Sequence, residues 1–198
     1  MKRYLVILAF LGFGFFAQAQ NKKKVFNFEP KMRLGAFTPI EFGNTALNKY
    51  YSTPIGFEGN FTLFKLYGIE FTGGITYANY KYNQQPDFLD YQISRQTLLY
   101  GQLAYSIELH KNFDISPSFS LGLEQLSHRE GSTVLARQTG VNTRIGAYLD
   151  YKLNKTFSFY SGMHLSHTNY TMEDGVSSYR KQYHSSNSLI FSLGVEFN

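Results

Sequence analysis

Ser188-Leu189-Ile190-Phe191-Ser192-Leu193-Gly194-Val195-Glu196-Phe197-Asn198 is the stretch that decides the fold. Leu189, Phe191, Leu193, Val195 and Phe197 occupy the odd positions, while Ser188, Ser192, Gly194 and Glu196 occupy even ones. Side chains alternate across a strand, so this segment is a strand with one greasy face and one small, polar face. The same alternation recurs along most of the chain, and it points to a sheet with one face against lipid.

Eight such segments are predicted, near 27–37, 54–64, 66–79, 94–109, 113–127, 140–152, 156–168 and 187–197. Their connections fall into two kinds. Phe64-Lys65-Leu66, His110-Lys111-Asn112 and Leu153-Asn154-Lys155 are tight turns, whereas the links near 38–53, 80–93, 128–139 and 169–186 are long and rich in Asn, Ser, Gly, Asp, Gln and Tyr. Short turns alternating with long loops are expected of an all-β, eight-stranded antiparallel up-and-down transmembrane β-barrel. An even strand count puts both termini on one side, the periplasmic side if the turns are periplasmic. No helix is evident, and no composition break divides residues 27–198, which read as one barrel domain.

The amino terminus predicts export. Lys2 and Arg3 precede an apolar run from Tyr4 to Phe16, followed by Ala17-Gln18-Ala19. That run is too short to span a bilayer as a helix, and the small-x-small pattern is what signal peptidase accepts. Residues 1–19 are therefore expected to be removed between Ala19 and Gln20, leaving residues 20–26 as a periplasmic tail. No other stretch reaches about 18 apolar residues, which excludes an α-helical membrane protein.

Composition narrows the function. The chain has no cysteine, so neither disulfides nor a thiolate metal site contribute. It holds 19 Phe and 16 Tyr, as a lipid-facing sheet requires. Loss of Lys2 and Arg3 lowers the formal charge from +5 to +3, leaving 17 basic against 14 acidic residues. The one basic run, Lys22 to Lys24, reads as a solvated tail, and nucleic acid is not an expected partner.

Parity assigns the faces. Ile69, Phe71, Ile75 and Tyr77 oppose Glu70, Thr72, Gly74 and Thr76, and Ile115, Phe119, Leu121 and Leu123 oppose Ser116, Ser118, Ser120, Gly122 and Glu124. A polar face of Gly, Ser, Thr and Glu, poor in Lys, suits a narrow lumen better than a water-exposed surface. A soluble barrel of lipocalin type, with the apolar parity turned inward, is the competing architecture. Arg33, Glu58, Glu70, Glu108, Glu124, Arg144 and Glu196 share the polar parity and are expected to form a lumenal ion network, with Arg95 as a further candidate. Tyr67 and Tyr151 near the short-turn end and Tyr77 near the loop end are placed as interfacial girdles. Tyr50, Tyr51, Tyr80, Tyr82, Tyr91, Tyr170, Tyr179 and Tyr183 are placed on the long loops as contact residues.

On these features the chain, from Asn27 to Asn198, resembles the small eight-stranded outer-membrane β-barrels of Gram-negative bacteria. Val195-Glu196-Phe197 looks like the terminal signal read by the barrel-assembly machinery, with Asn198 following the aromatic. The resemblance implies outer-membrane lipid and lipopolysaccharide as surroundings, and a non-enzymatic role with the lumen filled by side chains; it leaves the loop ligand open.

One motif suggests chemistry. His164-Leu165-Ser166 places a base and a hydroxyl on one strand face and looks like the His-x-Ser motif of the lipid A 3-O-deacylases. Their motif continues with Asn where His167 stands here, and Ser177 lies near the position of their orienting glutamate. Parity also turns both residues inward, away from a lipid substrate. The hydrolase is therefore the alternative function, and no catalytic residue is assigned. His164 and His167 take opposite faces while His110, His128 and His184 fall in turns or loops, so no metal site and no cofactor is expected.

Overall fold

A computed structural model describes residues 26–83, 93–172 and 184–198, and the expected signal peptide lies outside them. In chain order the elements are β1 (Phe26–Asn27), β2 (Lys31–Glu41), α1 (Ala46–Tyr50), β3 (Gly56–Leu66), β4 (Ile69–Lys81), β5 (Ile93–Tyr105), β6 (Ile107–His110), β7 (Phe113–Glu130), β8 (Thr133–Lys152), β9 (Phe157–Met172) and β10 (Ser185–Phe197). β6 continues the line of β5 beyond Ser106, and β1 is a short addition against the end of β3. The remaining eight strands pair antiparallel with their chain neighbours, and β10 closes onto β2. Phe26 thus belongs to the sheet rather than to the expected tail.

The closure is staggered. The ladder entered at Lys31 passes through Thr62, Thr72, Gln102, Ser120, Arg144, Ser166 and Ser188, and returns to β2 at Glu41, ten residues further along. Such a stagger tilts eight strands and leaves an interior about wide enough for side chains. Closure also pairs every edge, which a sheet in hydrocarbon requires.

The faces divide as parity predicts. Inward positions such as Thr76, Ser116 and Glu124 are buried. Outward positions form an apolar belt in which Leu99 is 64% and Leu193 70% exposed. A soluble barrel would invert this pattern, so the lipocalin-type alternative is discarded. At the short-turn end Phe64 stacks between Phe26 and Phe71, and Phe157 meets Phe159 and Phe197 edge-on. That girdle is built mainly of Phe, with Tyr67 and Tyr151 exposed among it.

Three local expectations are corrected. A register shift between Thr62 and Phe64 adds a residue to β3 and carries the first turn to Tyr67–Gly68, both at positive φ (50° and 86°). Two left-handed residues match the twist of a two-residue hairpin, and glycine supplies one of them without strain. The predicted loop 128–139 is instead mostly strand: β7 and β8 run on to a two-residue turn at Gly131–Ser132. Most of its residues are polar because the hairpin rises beyond the main apolar belt, not because the strands have ended. The connection between β2 and β3 holds the one-turn helix α1, started by Thr45, whose hydroxyl accepts from the Asn48 amide at 3.3 Å.

Candidate functional site

Side chains project into the lumen in tiers. At the short-turn end Arg33 meets the Asp150 carboxylate at 3.1 and 3.2 Å and places its Nε 2.6 Å from Glu196. Lys31 and Lys65 flank Glu70 at 3.1 and 3.3 Å. Arg33, Glu70, Asp150 and Glu196 are all buried, so each charge depends on its partners for stability.

Above this tier lie tyrosines. The Arg33 guanidinium sits 4.5 Å from the Tyr148 ring centroid, and Tyr160 donates its hydroxyl to Glu58 at 2.7 Å. Glycine makes room for these rings: a Cβ at Gly35 would overlap Tyr160, and one at Gly74 would overlap Tyr100. Arg144 is buried beside Tyr100, its guanidinium 5.6 Å from the ring centroid.

Higher still, Glu124 accepts from Gln96 (2.7 Å), Asn142 (3.0 Å), Thr168 (2.8 Å) and the Tyr170 hydroxyl. Four donors replace the cation that this carboxylate lacks among the described residues. Tyr80 and Ser186 donate to Glu41 at 2.9 and 2.7 Å. Over these polar groups lies an apolar cluster of Phe37, Leu47, Tyr51, Ala78, Leu126 and Ile190. Leu47 and Tyr51 come from the connection carrying α1, so this segment dips into the mouth of the barrel. His128 and Ser94 complete the mouth, their Nδ1 and Oγ 2.7 Å apart and each bonded to the Tyr51 hydroxyl.

Six of the seven predicted network residues, Arg33, Glu58, Glu70, Glu124, Arg144 and Glu196, are buried inside the barrel. Glu108 is not. It lies on β6 past the break at Ser106 and is exposed at the rim, where parity no longer turns a side chain into the lumen. Arg95 is also corrected: it occupies an outward position, over the Tyr77 ring. Tyr51, Tyr80 and Tyr170, expected on the loops as contact residues, are buried in the mouth; Tyr91, Tyr179 and Tyr183 lie outside the described residues. Asp150 and Lys31 were missed, although Asp150 shares parity with Arg144 and Lys31 with Arg33.

His164 and Ser166 do not pair. Both are buried on the lumenal face; His164 Nε2 lies 3.0 Å from Ser118 Oγ, and Ser166 Oγ accepts from Asn142 at 2.9 Å. Among the described residues no cluster of His, Asp and Glu is arranged to hold a metal ion.

No family model and no curated protein matches the sequence. The structure, however, is similar to Neisserial surface protein A, with a TM-score of 0.59 and 12% identity over 85% of this chain and 96% of that one. It is also similar to Ail, the attachment invasion locus protein of Yersinia pestis, solved with the heparin analogue sucrose octasulfate, with a TM-score of 0.50 and 10% identity over 85% and 96%. The fold is that of the small eight-stranded outer-membrane β-barrels. In an outer-membrane barrel the strands face lipid, and the tiers above are its interior.

Proposed function

We propose that the chain is a non-enzymatic outer-membrane barrel that anchors a recognition surface and passes no solute. Both termini face the periplasm in this reading, because the short turns and the Phe-rich girdle share their end of the barrel. The C-terminal strand β10, with Val195 and Phe197 outward, would be the element engaged by the barrel-assembly machinery. Lipid and lipopolysaccharide surround the belt.

The observation that carries the proposal is the mouth. An apolar cluster built around Leu47 and Tyr51 lies over a lumen in which Arg33 is ion-paired with Asp150 and Glu196 and Glu124 is held by hydrogen-bond donors, an arrangement that supports a plugged rather than an open barrel. His164 and Ser166 are each bonded to other lumenal groups and face away from lipid, which argues against deacylation. Recognition then falls to the strand ends and loops at the far end; a protein of similar fold, the Yersinia Ail, has been solved in complex with a heparin analogue.

Single-channel recording on the chain reconstituted in planar bilayers tests this. The wild type should show no steady conductance, while Leu47→Asp, which places a charge in the apolar cluster, should produce open events. Steady conductance from the wild type would overturn the closed-lumen reading.

A further inference from the structure

The outer wall of β4, β5, β7 and β8 changes character over three successive rungs. Ile75, Leu99, Leu123 and Val141 are laddered side by side and form an exposed apolar rung. Two residues further toward the loop end the rung is Tyr77, Thr97, Gln125 and Thr139, and two further still it is Asn79, Arg95, Ser127 and Arg137. Just beyond, Lys81 and Arg129 stand on either side of Ile93. Strand spacing puts the Cα atoms of Arg95 and Arg137 about 10 Å apart.

These four cations are concentrated on one side. β9 and β10 contain no Lys or Arg at all, and the basic residues of β2 and β3 lie toward the opposite end of the barrel, Lys31, Arg33 and Lys65 in the ion network. Nor are the four neutralised: none forms an ion pair among the described residues. Arg95 rests 5.4 Å from the Tyr77 ring centroid, and Arg129 donates to the Ser132 carbonyl at 2.7 Å. Two guanidiniums held by a ring and a carbonyl, with no carboxylate paired to them among the described residues, are prepared for an anion.

We infer that Lys81, Arg95, Arg129 and Arg137 form a binding site for the phosphate-bearing headgroup of an anionic membrane lipid. The inference rests on the membrane reading of the barrel. The cations point radially from the wall, above a rung that meets acyl chains, at the depth where headgroup phosphates lie. Arginine suits phosphate because its planar fork can meet two oxygens at once. A soluble sulfated polysaccharide would be expected to engage the loop tips instead.

The test uses the folded chain in phosphatidylcholine nanodiscs doped with lipid A that carries or lacks its phosphates, with bound lipid read by native mass spectrometry. Folding is checked first by heat-modifiable migration on a gel, so that failure of the membrane reading is seen separately. The wild type should retain phosphorylated over dephosphorylated lipid, and Arg95→Gln/Arg137→Gln should reduce that preference by on the order of tenfold or more. Lys49→Gln, a basic residue on α1 outside the cluster, should leave it intact. Equal retention of the two lipids by the folded wild type, or an unchanged preference in the double variant, would overturn the site. So would displacement of the lipid by a heparin fragment at equal charge concentration, which would reassign the cluster to polysaccharide.

Discussion

Arg33 is the cation on which the lower lumen depends, and removing it should cost more than any single hydrogen bond. Its guanidinium makes two contacts with Asp150 and one close ion pair with Glu196, and lies over Tyr148. Arg33→Met keeps much of the side-chain volume but leaves two buried carboxylates facing each other, with Lys31 4.0 Å from Glu196 as the nearest remaining cation. Loss of one partner from a buried pair costs about 3–5 kcal/mol, because the penalty is the uncompensated charge left behind. The triple change Arg33→Met, Asp150→Asn, Glu196→Gln removes that charge and should recover most of the loss. Urea-driven unfolding from lipid vesicles, followed by tyrosine fluorescence and gel migration since the chain has no Trp, would measure both. A cost below about 1 kcal/mol for Arg33→Met would refute the reasoning. So would a triple variant no more stable than the single, since the penalty would then lie in packing against the tyrosines.

Three other changes test the face assignment, the wall and the chemistry. Leu103→Arg on the lipid face should cost about 2–4 kcal/mol, whereas Ser118→Ala on the lumenal face gives up one hydrogen bond to His164, about 1 kcal/mol; equal costs in the same unfolding assay would contradict the assignment. Gly146→Ala should destabilise by about 1–3 kcal/mol, because a Cβ there meets the β9 backbone at Met163 and His164, while Gly73→Ala, with nothing within 4 Å, should change stability little. Cells expressing the wild type, His164→Ala or Ser166→Ala should give identical lipid A acyl patterns by mass spectrometry; an acyl chain missing only with the wild type would restore the hydrolase.

The barrel was legible because a sheet writes its faces into the sequence with a period of two. Parity alone placed Glu124 inside and Leu123 outside, and would equally have found Asp150 from Arg144. It failed where the period breaks. The shift at Leu63 moved a turn to Tyr67–Gly68, and the interruption at Ser106 took Glu108 out of the lumen. The hairpin of β7 and β8 was misread for a different reason. Polar outward residues such as Arg129 and Arg137 signal loop only if water on the outer face means the strand has ended, and here the strands outrun the apolar belt.

That difference between where a strand stops and where lipid stops also explains the tyrosines. Beyond the belt the outward face of β4, β5, β7 and β8 gains polar and basic residues, while apolar and aromatic side chains join the polar ones inside: Leu126, Tyr80 and Tyr170 point into the mouth and Lys81, Arg95 and Arg137 away from it. The barrel thus adds, at its loop end, a small mixed core of apolar and hydrogen-bonded polar side chains. Leu47 and Tyr51 complete that core, and no strand periodicity could announce them because α1 lies in a connection whose composition resembles any surface loop. A tyrosine-rich connection is therefore ambiguous in this fold. Beside an outward rung its rings meet partners or headgroups, whereas over the lumen they have the apolar side chains of the strand ends to bury against, and burial of the larger aromatic surface decides between the two.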